Sequence, residues 1–140
     1  SQTFFLGHAK YFGGPVMSRV AKMIQVIPVD MEARLAGALQ LSAHVLRSGK
    51  ILCVFPEGTR SHDGKMKEFK KGVGIIAKEL KAPIIPTAIR GTFEMLPADK
   101  IFPRPAKVGV SFGKPIYPDN MDYDEIVKKL HAAVSAMLQE

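Results

Sequence analysis

The sequence predicts an α/β fold: a layered, largely parallel or mixed β-sheet flanked by helices. Three observations carry this. Short apolar runs of strand length alternate with amphipathic stretches of helix length from end to end. Glycine and proline mostly punctuate the boundaries, at Gly13-Gly14-Pro15, Gly49, Asp63-Gly64 and Gly113-Lys114-Pro115. One apolar run, Ile51 to Phe55, stops at Pro56 and opens onto the polar cluster Glu57-Gly58-Thr59-Arg60-Ser61. Polar groups at the carboxyl end of a buried strand are where open α/β sheets bind ligands. The length, 140 residues, fits one domain spanning residues 1–140.

Each element has its own signal. Thr3 to Ala9 reads as a first strand. Pro15 suits the first position of a short helix reaching Lys22. Ile24 to Val29 is a second strand, and Asp30 suits the N-cap of the next helix. From Met31 to Ser48, Leu35, Leu39, Ser42 and Leu46 share one face, with Ala38, Leu41 and Val45 beside them; Gly49 terminates the helix. Lys50 to Phe55 is the third strand, and Asp63-Gly64 a turn. Gly72 to Leu80 is a short, mostly apolar helix, so it is expected to be buried. Pro83 to Ile89 reads as another buried strand, with Pro86 marking an edge or bulge because proline cannot donate to the ladder. Residues 91–105 are expected to be irregular, and Val108 to Phe112 to be the last strand. Asp122 and Glu125 make a weak capping box ahead of a helix with Ile126, Val127, Leu130, Ala133, Val134, Met137 and Leu138 on one side.

Composition narrows the function classes. Hydrophobic content of 46% and charged content of 24% are those of a folded chain. No apolar run approaches the roughly 18 residues that span a bilayer, and no secretory leader is visible. The start at Ser1, almost on top of Phe4-Phe5-Leu6, is abrupt and suggests a fragment. Cys53 is the single cysteine, which excludes a disulfide framework; it lacks partners at zinc-ligand spacing and reads as a buried thiol. Net charge +7 and pI near 9.6 favour anionic partners: acidic lipid headgroups, phosphorylated metabolites or an acidic carrier protein. Nucleic acid is disfavoured, because aromatic residues do not interleave with the basic ones.

Within the polar cluster, Arg60 offers a planar fork suited to phosphate, or it pairs on the surface with Glu57 or Asp63. Glu57 either orients Arg60, accepts a ligand hydroxyl, or caps local backbone donors. Gly58 either supplies a positive φ or lets the backbone approach a ligand. Thr59 and Ser61 either donate to phosphate or satisfy the turn. Lys65, Lys67, Lys70 and Lys71 form a basic cluster, either solvated or attracting an anion, and His62 beside them is expected to be exposed. A Walker A loop fails, since five residues separate Gly58 from Gly64 and Met66 replaces the hydroxyl. No G-x-S-x-G elbow is present. Met17, Met23, Met31 and Met95, with Phe93 and Leu96, either line an acyl-chain groove, meet a membrane or fill the core; most are expected in the core, with the Phe93 to Leu96 loop kept as a membrane contact.

Phe55-Pro56-Glu57-Gly58-Thr59-Arg60-Ser61, with Asp63-Gly64 and Phe69-Lys70-Lys71-Gly72, closely resembles the glycerolipid acyltransferase family, typified by the 1-acylglycerol-3-phosphate acyltransferases. Ala82 to Ile89, containing Pro86, and Val108 to Pro115 match two further stretches of that family. The resemblance implies a glycerol-3-phosphate acyltransferase-like α/β domain that moves a fatty acyl group from acyl-CoA or acyl carrier protein to a lysophospholipid or glycerophosphate-type hydroxyl. It implies no cofactor, no metal, an anionic membrane surface as partner and the cytoplasmic face of a membrane as location. Glu57, Gly58, Thr59, Arg60 and Ser61 would bind the phosphorylated acceptor, with Lys65, Lys70, Lys71 and Pro86 in support.

Two departures stand out. The family's catalytic signature is H-x-x-x-x-D, yet Gly13, Gly49, Lys67 and Ala136 follow His8, His44, His62 and His131 at that spacing. The signature is therefore expected upstream of Ser1, leaving no catalytic residue in this chain. The family's F-I-D-R-like segment reads Ile27-Pro28-Val29-Asp30, so its arginine is missing, with Arg34 the nearest substitute. The alternative reading is a catalytically inactive anion- or lipid-binding fragment of such a protein.

Overall fold

The computed structural model describes residues 2–8, 14–29, 35–100 and 102–139. It is a mixed α/β structure with a parallel sheet flanked by helices, and its chain divides into two compact units, residues 1–56 and 57–140.

In the first unit, three parallel strands are ordered β2-β1-β3, with β1 (Thr3–His8) between β2 (Val26–Val29) and β3 (Ile51–Val54). Leu6 stands opposite Ile27 on one side and Val54 on the other. Parallel neighbours need crossovers, and α1 (Pro15–Met23) and α2 (Leu35–Arg47) supply them. Pro15 opens α1, where its missing N–H is no loss. Leu6, Ala21, Val29, Ala38 and Val45 are buried, and the buried Ser42 hydroxyl donates to the Ala38 carbonyl one turn back at 2.7 Å.

Helix α2 ends by local chemistry. Gly49 takes φ +69°, its N–H bonds the Leu46 carbonyl, and the Lys50 N–H bonds that of Val45. This is a Schellman closure, which satisfies carbonyls that the helix itself leaves open. Burial holds the Cys53 thiol pKa above its ordinary value. Two sequence expectations need correction here. Met23 is 78% exposed at the end of α1, and Leu41 points to solvent because α2 buries the narrower Ala38–Ser42–Val45 stripe. Asp30, Met31 and Arg34 lie outside the described residues.

In the second unit, α3 (Gly72–Glu79) packs on α5 (Tyr123–Gln139), and α5 also covers β4 (Thr87–Arg90). Residues at four-residue spacing, Ile126, Leu130 and Val134, make the buried stripe of α5. Its start is a reciprocal capping box: Asp122 Oδ1 accepts from the Glu125 N–H at 2.8 Å, and Glu125 Oε2 from the Asp122 N–H at 2.7 Å. Asp122 is held below the usual carboxylate range first by that Glu125 N–H.

Strand β4 pairs antiparallel with β5 (Gly109–Phe112). The expected strand over Pro83 to Ile89 is shorter and later, because Pro83 and Pro86 lack the N–H that a ladder needs. Ile84 forms only an isolated bridge with Ile116, and buried Pro86 accepts the Gly113 N–H through its carbonyl. Within residues 91–105, a single-turn helix, α4 (Thr92–Met95), adds order where none was expected.

Candidate functional site

Strand β3 ends at Val54, and the polar cluster begins at Glu57. From there to Lys71, which caps α3, the chain has no regular secondary structure, and its own side chains fix its course.

The clasp is Lys67. Its Nζ donates to the Thr59 hydroxyl at 3.1 Å and to the Arg60 carbonyl at 2.9 Å, while its backbone N–H donates to Glu57 Oε2 at 2.8 Å. Residues 57–60 are thereby tied to residue 67, and the loop closes on itself. A second, smaller turn sits inside it. Asp63 Oδ1 accepts the Lys65 N–H and the Ser61 hydroxyl, each at 3.0 Å. Those two bonds, the backbone one first, hold the Asp63 carboxyl below its usual range.

Gly58 adopts φ +73°, which disfavours any side chain, and the Lys70 stem lies against it. A β-carbon at Gly58 would stand 3.0 Å from Lys70 Cε and 3.6 Å from its Nζ. The loop thus gathers positive groups: the Lys67 ammonium within, the Lys70 ammonium alongside, and the Arg60 guanidinium on the exposed side.

Arg60 Nη2 donates to the Ala98 carbonyl at 3.1 Å, and neither Glu57 nor Asp63 pairs with it. This bond anchors one arm of the fork, and among the described residues most of its other donors have no protein partner. Ala98 immediately precedes a shallow cleft of about 390 Å³ lined by Asp99, Lys100, Phe102, Pro103 and Arg104.

Glu57 accepts the Lys67 backbone N–H, and the Ser61 hydroxyl donates to Asp63. Thr59 accepts from Lys67. Lys65 is exposed, with its backbone in the Asp63 turn. Lys71 leaves the group, since its Nζ pairs with Asp124 at 3.1 Å beside the start of α5. Pro86 is a packing residue, buried at the foot of β4. His62 is exposed, whereas His131 is half-buried with its ring edge-on to Phe69, centroids 4.8 Å apart. Phe93, considered as a membrane contact, is half-buried with its ring against Gly64.

The sequence placed Lys67 among four similar lysines and gave it no separate role. The signal was its ten-residue offset from Glu57, which shows only once the loop closes. Among the described residues, no group of His, Cys, Asp and Glu side chains could hold a metal ion. Nor is any helix among them long and apolar enough to cross a membrane.

Residues 1–90 match the Acyltransferase family. A 1-acyl-sn-glycerol-3-phosphate acyltransferase of Cocos nucifera is 33% identical over 96 residues, covering 66% of this chain and 31% of that protein. The chloroplastic enzyme BAT2 of Brassica napus, of the same description, is 31% identical over 121 residues, covering 84% of this chain and 35% of its own length. The chain thus spans about a third of each of these relatives. Among solved structures, the 1-acyl-sn-glycerophosphate acyltransferase PlsC of Thermotoga maritima superposes with a TM-score of 0.79 at 25% identity, covering 98% of this chain and 56% of that one. With the fold, the loop and the sequence match in agreement, the chain belongs to the Acyltransferase family.

Proposed function

We propose that the protein transfers a fatty acyl group from a thioester donor, acyl-CoA or acyl carrier protein, to the free hydroxyl of a lysophospholipid, with 1-acylglycerol-3-phosphate the best-fitting acceptor. The observation that carries this reading is the loop's concentration of cationic groups around Gly58, with the Arg60 fork anchored on one arm and open on the other. Such a fork takes two oxygens of a phosphate with parallel hydrogen bonds. The names of the relatives supply the acceptor class.

In this scheme the loop is a positioning device. Arg60 binds the acceptor phosphate, Lys67 keeps the loop closed under it, and Lys70 adds positive potential. Fixing the phosphate fixes the distance from headgroup to hydroxyl, and that placement brings the nucleophile to the thioester carbonyl. The hydroxyl must still lose its proton. No histidine of this chain has an aspartate at the H-x-x-x-x-D spacing, so the base and its aspartate are to be sought outside residues 1–140. The reaction belongs at the cytoplasmic face of a membrane, where lysophospholipid and thioester meet.

Thiol release from acyl-CoA by the parent protein tests the reading. Release should require 1-acylglycerol-3-phosphate and fall sharply in Arg60→Ala. Turnover that proceeds equally well with an acceptor lacking phosphate would overturn it. Residues 1–140 alone should bind the lysophospholipid without releasing thiol.

A further inference from the structure

Strand β4 and the residues leading into it bury one side and leave the other bare, and β5 beside it is largely exposed. Pro86 and Ala88 are buried on the side of β4 that meets α5, while Ile85, Thr87 and Ile89 alternate with them and are exposed. The register sets Phe112 beside Thr87 and Val110 beside Ile89, so Val110 and Phe112 continue the outward face, and Val108 just ahead of β5 is exposed as well. Phe112 is 73% exposed. A contiguous apolar sheet face of this kind marks an interaction surface.

A second observation says what covers it. From Lys100 to Pro118 the chain has no aspartate or glutamate, while Lys100, Arg104, Lys107 and Lys114 are basic. Lys100 pairs with Asp99, whose carboxylate also faces the Arg104 charge, while Lys107 and Lys114 are exposed and, among the described residues, opposed by no ion pair. In the same stretch Phe102 is 82% and Tyr117 63% exposed. Aromatic rings settle at the boundary between acyl chains and headgroups, and lysine and arginine beside them meet anionic phosphates. A second copy of this chain fits less well, because each copy brings a net charge of +7 and no acidic counterpart from this segment.

We propose that the outer face of β4–β5, together with the acid-free segment 102–118, is the surface that seats the protein on an anionic lipid bilayer. The proposal rests on the reading of the acceptor as a lipid, which a membrane-seated loop would meet at the bilayer surface. Bilayer binding is measured without turnover, so failure of one reading is distinguishable from failure of the other.

The test is flotation of the intact protein with phosphatidylglycerol–phosphatidylcholine vesicles and with phosphatidylcholine vesicles alone. Binding should need the anionic lipid and weaken with salt. The pair Lys107→Glu, Lys114→Glu should lower it by about fivefold or more per lysine. Val110→Ser with Phe112→Ser should lower it about tenfold or more, whereas Lys128→Glu on α5 should change it little. Residues 1–140 contain no tryptophan, so in that stretch by itself Phe112→Trp gives a sole reporter whose emission should shift to the blue when vesicles are added. Vesicle binding that survives both double variants, an unshifted emission, or a Phe112→Ser variant that turns a dimer into a monomer would overturn the proposal.

Discussion

The loop from Glu57 to Lys71 and the scaffold of α3, α5, β4 and β5 that follows it are held by different forces. Polar clips hold the loop, with Lys67 on Thr59, Arg60 and Glu57, and Asp63 on Ser61 and Lys65. Close contact of backbone with backbone and of apolar stripes holds the scaffold, where Gly74 meets the Tyr123 carbonyl and Gly91 meets that of Lys107. Exposed polar clips contribute little each to stability and much to geometry. Close packing contributes the stability and tolerates little change. The contrast suits a rigid base carrying a loop that only has to present charge.

Substitutions should separate the two. The largest loss of stability is expected at Gly91→Ala, whose methyl would fall onto the Lys107 carbonyl oxygen. A cost of more than about 3 kcal/mol is expected, read as a lowered denaturant midpoint. Gly74→Ala follows, at about 1–3 kcal/mol, because its β-carbon would lie 2.5 Å from the Tyr123 carbonyl oxygen and 3.0 Å from Val127. If either variant kept full stability while losing ligand affinity, the division of labour would be wrong.

The converse pattern belongs to the loop. Lys67→Met removes the ammonium that ties Thr59 to Arg60 and should raise the acceptor KM about three- to tenfold at an almost unchanged midpoint. A stability loss as large as that of Gly74→Ala would make the loop part of the scaffold instead. Asp122→Ala sharpens the comparison from the other side. It removes one half of the capping box, so it should cost about 1 kcal/mol of stability and leave the acceptor KM alone.

The smallest expected effect is with pH. Asp63 has a lowered pKa in the folded chain, so the stabilisation it gives the turn is present above the ordinary carboxylate range. That contribution is lost as pH falls through the lowered value. Amide exchange at Lys65 should therefore quicken at acid pH beyond its intrinsic rate, and Asp63→Asn should abolish this pH dependence.

What the sequence showed clearly was mostly local. The Schellman end of α2 at Gly49, the Asp122–Glu125 box and the α5 stripe each depend on residues within a few positions of one another. The polar cluster after β3 was legible for the same reason. Interactions across the chain were not. Lys67 differs from Lys65, Lys70 and Lys71 only through where the loop returns. Arg90 lies in a short strand, yet its guanidinium bonds the Met137 carbonyl near the end of α5 and the Ser111 hydroxyl, two contacts that no spacing announces. The shortened β4 was foreshadowed by Pro86, but its isolated Ile84–Ile116 bridge depends on a partner more than thirty residues away.

Anion recognition by Arg60 is most directly tested by comparing binding of 1-acylglycerol-3-phosphate with that of the same acylglycerol lacking phosphate, in the unaltered protein and in Arg60→Ala and Arg60→Lys. The unaltered protein should prefer the phosphorylated lipid, and Arg60→Ala should lose about ten- to a hundredfold of that preference while keeping its folded spectrum. Arg60→Lys should recover only part, since a point charge does not replace the fork. A preference for phosphate that Arg60→Ala leaves intact would contradict the assignment.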